Sequence, residues 1–378
     1  MLEEGNEKNL FKDKLKAIRE GEHENRKKRE SEFHFFHQQW VILWQPVVVE
    51  NIKKDREVHF YVRASNINSI KAQLRQLTIE HKVLMGDVQG IIEKQTVNDT
   101  VNARGSSSYY ENYHSMKEIY RWMEEVVKIH SDLLQKIYIG SSYEKRPLYV
   151  LKAIHVRERD QTMTTLLEHF DFYIMPVINV DGYEYTWSHP YNRLWRKSRS
   201  SHSNSKCIGT DMNRNFDAHW CGPGASHSEC QETYCGPYPE SEPEVKAVAR
   251  FIRDHKDTIK AYITMHSYSQ MVLFPYSYTT NKSKDHEELE SLAQKAAKAI
   301  KRTTRKIYRP GAGAQTIYLA PGGSDDWAYD LGIKYSFTFE LRDTGTYGFL
   351  LPSREIKPTC LEALSAVKEI AQHVLQNL

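Results

Sequence analysis

The sequence predicts an α/β protein, with a mixed central sheet covered by helices on both faces, preceded by a small α+β open-sandwich module. From residue 109 onward, apolar runs of strand length alternate with amphipathic helical patterns. Between residues 40 and 94, short strand-like runs surround one helical pattern. The 378 residues, at about 150 per domain, allow two or three domains and a sizeable core.

The first 37 residues predict a charged extension. Residues 1–31 carry nine Lys or Arg and eight Asp or Glu, and the spacing of apolar residues from Leu10 to Ile18 favours a solvated amphipathic helix. Acids near the start and the lack of an apolar stretch argue against a signal peptide in this chain.

Residues 38–104 predict the small α+β module. The runs WVILWQPVVV and REVHFYVRA favour strands, NINSIKAQLRQL favours a helix, and VLMGDVQGIIEK favours a further strand.

The module ends in a polar segment. Asn98 begins a glycosylation sequon, and Arg104 is followed by Gly and three Ser. The segment is either a trypsin-like cleavage site between two folded units or an ordinary linker.

Residues 105–378 predict the larger α/β domain. The strand-like runs are RPLYVLKAI, FDFYIMPVINV, IKAYITMH and KYSFTFELR. The helical patterns are SMKEIYRWMEEVVKIH, EVKAVARFIRDH, HEELESLAQKAAKAIKRTT and a last helix from Pro358 to Leu378.

The charge balance and the length of the apolar runs each exclude one class of partner. The chain has 52 basic and 49 acidic side chains, a net charge of +3, whereas nucleic-acid binding needs a concentrated basic face. No apolar run is as long as a membrane span. We therefore expect neither a nucleic acid nor a membrane as partner.

Four of the five cysteines lie within 29 residues, at Cys207, Cys221, Cys230 and Cys235. One interpretation is a zinc knot, although the usual C-x-x-C pairs are absent. The favoured interpretation is two disulfides, which implies an oxidising compartment and leaves Cys360 as the unpaired cysteine.

Several candidate catalytic residues lie where predicted strands end, the usual place for a site in an open α/β sheet. His155, Glu158 and His266 have the spacing of a catalytic zinc site, a close pair plus one distant ligand, although His-x-x-Glu also occurs by chance. Glu340 ends another strand and is a candidate general base; the alternative is an ion pair with Arg342.

Other polar residues suit substrate recognition. Asn213 and Arg214 place an amide beside a guanidinium, which suits a carboxylate, although a surface arginine is the commoner case. Tyr318 is expected to be an exposed phenol on a loop. Asp325 and Asp326 follow in the same loop, where adjacent acids are usually solvated and burial of one would require a cationic partner.

The motifs HSYSQMVLFPYSY, CIGTDMNRNF, YNRLWRKSR and SDDWAYDLGIKYSFTFELRDTGTYGFLLP resemble the zinc metallocarboxypeptidases of the A/B family. The resemblance covers about residues 38–378. It implies an activation domain at 38–104, a catalytic domain at 105–378, and cleavage after Arg104 by a trypsin-like protease such as thrombin.

The resemblance also implies the catalytic machinery. One zinc ion, held by His155, Glu158 and His266, would polarise the scissile carbonyl and its water. Glu340 would take the proton of that water and deliver it to the leaving amine, and Arg196 would stabilise the oxyanion.

The implied substrates are peptides and proteins that end in Arg or Lys. Three residues would clamp the terminal carboxylate, namely Asn213, Arg214 and Tyr318. Asp325 would lie at the floor of the specificity pocket and pair with the basic side chain. Two further residues would line the approach, namely Arg157 and Arg193.

The resemblance further implies the disulfides Cys207–Cys230 and Cys221–Cys235, secretion, glycosylation at Asn98 and a role in regulating fibrinolysis. The family has a further strand, central in its sheet, between PLYVLK and the histidine motif, and this strand is missing here. The alternative function is therefore a splice or truncation product with impaired catalysis that binds peptide C-termini without cleaving them.

Overall fold

The computed structural model describes residues 8–14, 41–52, 56–97, 109–154, 160–203 and 205–378. The chain divides into two compact units, each described by itself: Met1–Asn98 with Asp343–Pro352, and Asp99–Arg342 with Ser353–Leu378. No described helix combines the length and the apolar character needed to cross a membrane.

The described strands are β1 Lys8–Lys14, β2 Val41–Gln45, β3 Glu57–Arg63, β4 Glu80–Met85, β5 Leu134–Ser141, β6 Pro147–Ala153, β7 Phe172–Ile174, β8 Ala261–Ser267, β9 Met271–Phe274, β10 Arg309–Ala312 and β11 Tyr335–Leu341. The described α-helices are α1 Ile67–Gln76, α2 Val88–Val97, α3 Met116–Ile129, α4 Gln161–His169, α5 Val180–Ser188, α6 Pro243–His255, α7 His286–Thr304, α8 Gly313–Thr316, α9 Ser324–Asp330 and α10 Ile356–Gln376.

The first unit is built on an antiparallel sheet with the order β2-β3-β1-β4. Its core lies between the sheet and α1, which buries Ile70 and Leu74 one turn apart. The strand, strand, helix, strand order predicted for this module is therefore present from β2 to β4.

Two local predictions in the first unit were wrong. Lys8–Lys14 is a strand between β3 and β4, not part of an amphipathic helix. Backbone pairing along both edges outweighs a weak helical spacing in so short a segment. Val88–Val97 is a helix rather than a continuation of a strand, since a short apolar run does not distinguish the two.

The second unit contains a mixed sheet with the order β10-β9-β11-β8 and an antiparallel sheet with the order β5-β6-β7. In the mixed sheet, β11 runs parallel to β8 and antiparallel to β9.

Helices cover both faces of the mixed sheet, as predicted. One face packs Phe337 and Phe339 against α7 and α10, and on the other Tyr262 packs in a cluster with residues of α6 and α9.

The central sheet is interrupted between these two groups of strands. Among the described residues β8 pairs only with β11 and β7 only with β6. Large apolar side chains at both edges are exposed, Met265 on β8 and Ile174 on β7. This arrangement agrees with the predicted loss of a central strand. The apolar run around β7 forms only three residues of strand.

Candidate active site

His266 and Glu340 lie opposite each other near the carboxyl ends of β8 and β11, which are parallel neighbours. Burial raises the pKa of Glu340 to about 8 although Arg196 opposes the shift. The alternative ion pair with Arg342 is wrong. Arg342 instead donates from Nε to both carboxylate oxygens of Glu362, at 3.0 and 2.8 Å.

The imidazole of His266 is held in its neutral form. Burial, with the nearby charge of Arg196, lowers its pKa to about 4. Its Nε2 lies 3.2 Å from Oγ1 of Thr264, on the same face of β8. Neutral imidazole is the form that binds a metal ion.

Arg196 is fixed by Asp211. Its Nε and Nη2 donate to Oδ2 of Asp211 at 3.0 and 2.8 Å. Burial raises the pKa of Asp211, but the charges of Arg196 and Arg214 outweigh it and hold that pKa below its usual range. Sequence reasoning missed Asp211, although it stands two residues before Asn213 in the same motif.

Asp211 also caps the 3-10 turn Met212–Arg214, because its Oδ1 accepts from the backbone N of Asn213 at 3.1 Å. Arg214, only 1% exposed, donates from Nε to the carbonyl of Gly224 at 3.1 Å and from Nη1 to the carbonyl of Asn213 at 2.7 Å. Its Nη2 is buried and has no hydrogen-bond partner within the described part of the chain. The guanidinium is thus held by neutral carbonyls, with a donor left for an anion.

The loop that carries Tyr318 packs against the backbone of Arg214. Gly322 has a φ of +74°, and a Cβ there would lie 2.3 Å from the carbonyl oxygen of Arg214, so only glycine fits. The carbonyl of Gly322 accepts from the backbone N of Phe216 at 3.1 Å. Tyr318 is partly buried, not exposed as predicted. Burial raises its pKa, and the charges of Arg214 and Glu340 also act on it.

Asp325 and Asp326 lie in the first turn of α9, not in a loop as predicted. Asp326 is fully buried and accepts from the backbone N of Ser277 and of Tyr278, at 2.8 and 2.9 Å. Asp325 is 4% exposed and forms no ion pair with any described residue. Burial raises its pKa, whereas the charge of Arg214 opposes the shift.

Six of the predicted residues form one connected arrangement. Five of them are linked because the charges of some act on the pKa values of others: Arg196, Arg214, Tyr318, Asp325 and Glu340. The sixth, Asn213, is linked because its carbonyl accepts from Nη1 of Arg214. His266 lies beside them because it is paired with Glu340 across the two strands. The charges of Arg196 and Arg214 also lower its pKa. The site therefore combines a buried anion-binding donor, a buried carboxyl group and a candidate base.

Arg193, which was expected to line the approach, makes contacts with residues outside this set. Arg193 stacks over the ring of Trp187 at 4.7 Å and donates to Oγ1 of Thr186 at 3.4 Å. Five predicted residues lie outside the described part of the chain, namely Asn98, Arg104, His155, Arg157 and Glu158.

The four clustered cysteines form two disulfides. Cys207 is bonded to Cys230 and Cys221 to Cys235, with Cα–Cα distances of 5.1 and 5.5 Å. This is the pairing that the resemblance implied. It excludes the zinc knot, because all four sulfur atoms are in disulfide bonds and none is a free thiolate that could bind zinc. Cys360 is free and exposed.

The donor chemistry at His266 suits a zinc ligand. A partly buried, neutral imidazole stands beside a carboxyl group that can act as base, and the remaining positions of a three-ligand set would come from His155 and Glu158. The described part of the site, His266 with Glu340 beside it, therefore has the chemistry expected at a zinc site.

Comparison with known proteins identifies the family. The model of the zinc carboxypeptidases matches residues 154–366, and that of the carboxypeptidase activation peptide matches residues 33–95. Carboxypeptidase B2 of Rattus norvegicus is 58% identical and that of Homo sapiens 54%, each alignment covering 89% of this chain and 88% of the relative.

A solved structure is similar over nearly the whole chain. The crystal structure of thrombin activatable fibrinolysis inhibitor (TAFI) superposes with a TM-score of 0.91 at 48% identity, covering 98% of this chain and 100% of the other. The chain belongs to the zinc carboxypeptidase family and is a metallocarboxypeptidase of the zymogen type, a hydrolase preceded by an activation peptide.

Proposed function

We propose that this protein removes C-terminal Arg or Lys from peptides and proteins. The observation that carries the proposal is Asp325, a buried carboxyl group without an ion-pair partner in the described residues, near Arg214 and Glu340. A buried carboxylate is costly unless a cation accompanies it. The guanidinium or ammonium group of a basic substrate side chain would provide that cation.

The carboxylate end of the substrate would bind at Arg214. Its unpartnered Nη2 is a buried donor, so a carboxylate arriving there would form a charge-assisted hydrogen bond. Asn213 and Tyr318 would complete the clamp. Recognition of a free carboxylate restricts cleavage to the last residue of the substrate.

Glu340 would take a proton from the attacking water and deliver it to the leaving amine. Arg196, oriented by Asp211, would stabilise the developing oxyanion, a contribution of about 3 to 4 kcal/mol for such a donor. A single zinc ion, held by His266 together with His155 and Glu158, would supply Lewis-acid polarisation of the carbonyl and the water. Arg157 and Arg193 would line the approach.

We also propose activation by cleavage after Arg104 by a trypsin-like protease such as thrombin, secretion, glycosylation at Asn98, and a role in regulating fibrinolysis. The relative named thrombin activatable fibrinolysis inhibitor supports the activator and the role. The two disulfides support an oxidising compartment. In this scheme residues 38–104 are the activation domain and 105–378 the catalytic domain.

The substrate proposal is tested by comparing peptides that differ only in the last residue, Arg, Lys or Leu, after cleavage at Arg104. We expect preference for the basic residues, and Asp325→Asn should reduce the Arg-to-Leu ratio of kcat/KM by about 100-fold or more. Asp330→Asn is the matched control, since Asp330 lies on the same helix and accepts from the hydroxyl of Tyr276 at 2.9 Å. An unchanged ratio in Asp325→Asn would refute the proposed pocket.

A second candidate function is binding of peptide C-termini without cleavage. It is favoured by one observation: Arg214 and Asp325 are buried in place, whereas the strands that would flank the family's missing central strand, β8 and β7, pair among the described residues only with β11 and β6. Metal analysis separates the two functions. One equivalent of zinc with release of Arg supports the peptidase, while calorimetric binding of an Arg-ending peptide without zinc or release supports the binding protein.

A further inference from the structure

The outer edge of β8 is a long, regular strand edge without a partner among the described residues. The strand pairs with β11 over all seven of its residues without a register shift. Met265 in its middle is 43% exposed. β11, which has strands on both sides, is buried from Tyr335 to Phe339, whereas β8 is not fully buried at any residue.

Every other edge strand of the described sheets carries a feature that hinders pairing with another chain. The strand β10 contains Arg309 and Pro310, and β7 is only three residues long. The strand β5 contains Lys136 and is irregular near Gly140.

The same holds for the first unit. The strand β2 has a register shift near Gln45, followed by Pro46, and β4 contains Glu80 and Lys82. The sequence of β8, AYITMHS, contains no Lys, Arg, Asp, Glu or Pro, and its pairing shows no bulge. Uncharged segments of this length, rich in β-forming residues, are typical of strands that pair between chains.

We propose that two copies of this chain associate by antiparallel pairing of their β8 edges. With the two-fold axis at Thr264, Met265 of one copy stands opposite Ile263 of the other, an apolar pair on one face of the sheet. Tyr262 stands opposite His266 on the other face. The pairing brings no acidic or basic side chains of Asp, Glu, Lys or Arg together, because β8 contains none of these residues.

The association is limited to two copies of the chain. The inner edge of β8 is occupied by β11, so one symmetric pairing consumes the free edge of both copies. A dimer rather than a fibre is therefore expected. This inference concerns the second unit alone and does not depend on the substrate proposed above.

The test uses the full chain in sedimentation equilibrium over a range of concentrations, with hydrogen exchange of the β8 amides measured at both ends of the range. We expect a monomer–dimer equilibrium and slower exchange in β8 at high concentration. Met265→Lys places two like charges near the axis and should weaken association about tenfold or more.

Ile307→Lys is the matched control, because it adds the same charge at a 68% exposed apolar residue outside every described strand. It should leave the dissociation constant unchanged. A monomer at all concentrations, fibres instead of dimers, or β8 amides already protected in the dilute wild-type chain would each overturn the proposal. The wild-type measurements decide the outcome even if Met265→Lys fails to fold.

Discussion

Arg196 and Asp211 form a two-point contact in which Nε and Nη2 of the guanidinium donate to the same carboxylate oxygen, at 3.0 and 2.8 Å. The other oxygen of Asp211 caps the turn that presents Arg214. One carboxylate therefore positions both arginines that face the candidate site. The contact couples the folding of this loop to the geometry of the site.

Replacement of Asp211 should affect activity through both arginines. Asp211→Asn removes the charge that holds Arg196, so we expect kcat/KM to fall about 10- to 100-fold and stability to fall by about 2 to 4 kcal/mol. Both kcat and KM should change, since Arg196 would act on the transition state and Arg214 on the bound substrate. Steady-state kinetics and chemical denaturation measure the two effects.

The control is Asp254→Asn, which breaks an exposed pair with Arg250 whose closest contact is 3.7 Å. Exposed pairs contribute little to stability, so both measurements should stay close to wild type. An Asp211→Asn variant with unchanged kcat and KM would contradict the positioning role.

The buried pair of Arg342 and Glu362 should contribute strongly to stability. Glu362 is fully buried and also accepts from the hydroxyl of Tyr308 at 3.0 Å. Glu362→Ala leaves Arg342 without this partner, and we expect a loss of about 3 to 5 kcal/mol in the free energy of unfolding. Glu369→Ala on the same helix removes a more exposed pair with Arg302 and should cost far less. Equal losses in the two variants would contradict the prediction.

Glu244 should make the protein less stable at higher pH. Burial, with the charges of Glu242 and Asp181, raises the pKa of Glu244 from 4.5 to about 7, and its Oε2 has no hydrogen-bond partner in the described chain. Between these two pKa values the folded state binds more protons than the unfolded state. The contribution of this group is therefore full below about pH 4.5 and is lost as pH rises through 7.

Glu244→Gln imitates the protonated form. We expect it to be more stable than wild type at pH 8, by up to about 3 kcal/mol, and equally stable near pH 4. The exposed Glu287→Gln serves as control and should show no such gain. Denaturation curves across this pH range provide the measurement, and a variant that loses stability at pH 8 would rule out the assigned cause.

The disulfide Cys221–Cys235 should support substrate binding as well as stability. It closes a loop that includes Gly224, whose carbonyl accepts from Nε of Arg214. Replacing both cysteines by Ser should lower stability by about 3 kcal/mol, judged from the length of the closed loop, and raise KM. Replacing Cys207 and Cys230 should lower stability comparably while changing KM less. Equal KM values in the two double variants would contradict the link to Arg214.

Much of the candidate site could be proposed from the sequence because its residues stand in short motifs. Arg196, Asn213 and Arg214 are identified by the residues that flank them, and Glu340 and His266 by the ends of apolar runs. The partner of Arg342 could not be predicted, since Glu362 lies 20 residues away on another element. The hydrogen bonds of Asp326 to the backbone of Ser277 and Tyr278 join segments 48 and 49 residues apart. A loop assignment based on two adjacent acids therefore failed.

The sequence by itself determined the class of fold, the four longest described helices of the second unit, the candidate site residues and the family motifs, because periodicity and motif spacing are local properties of the chain. Tertiary structure decided which segments pair and which side chains are buried. Lys8–Lys14 became a strand because β3 and β4 flank it on both sides, and β8 acquired a free edge because no described strand follows it in the sheet. Backbone pairing and desolvation depend on residues far apart in sequence, so local patterns do not reveal them.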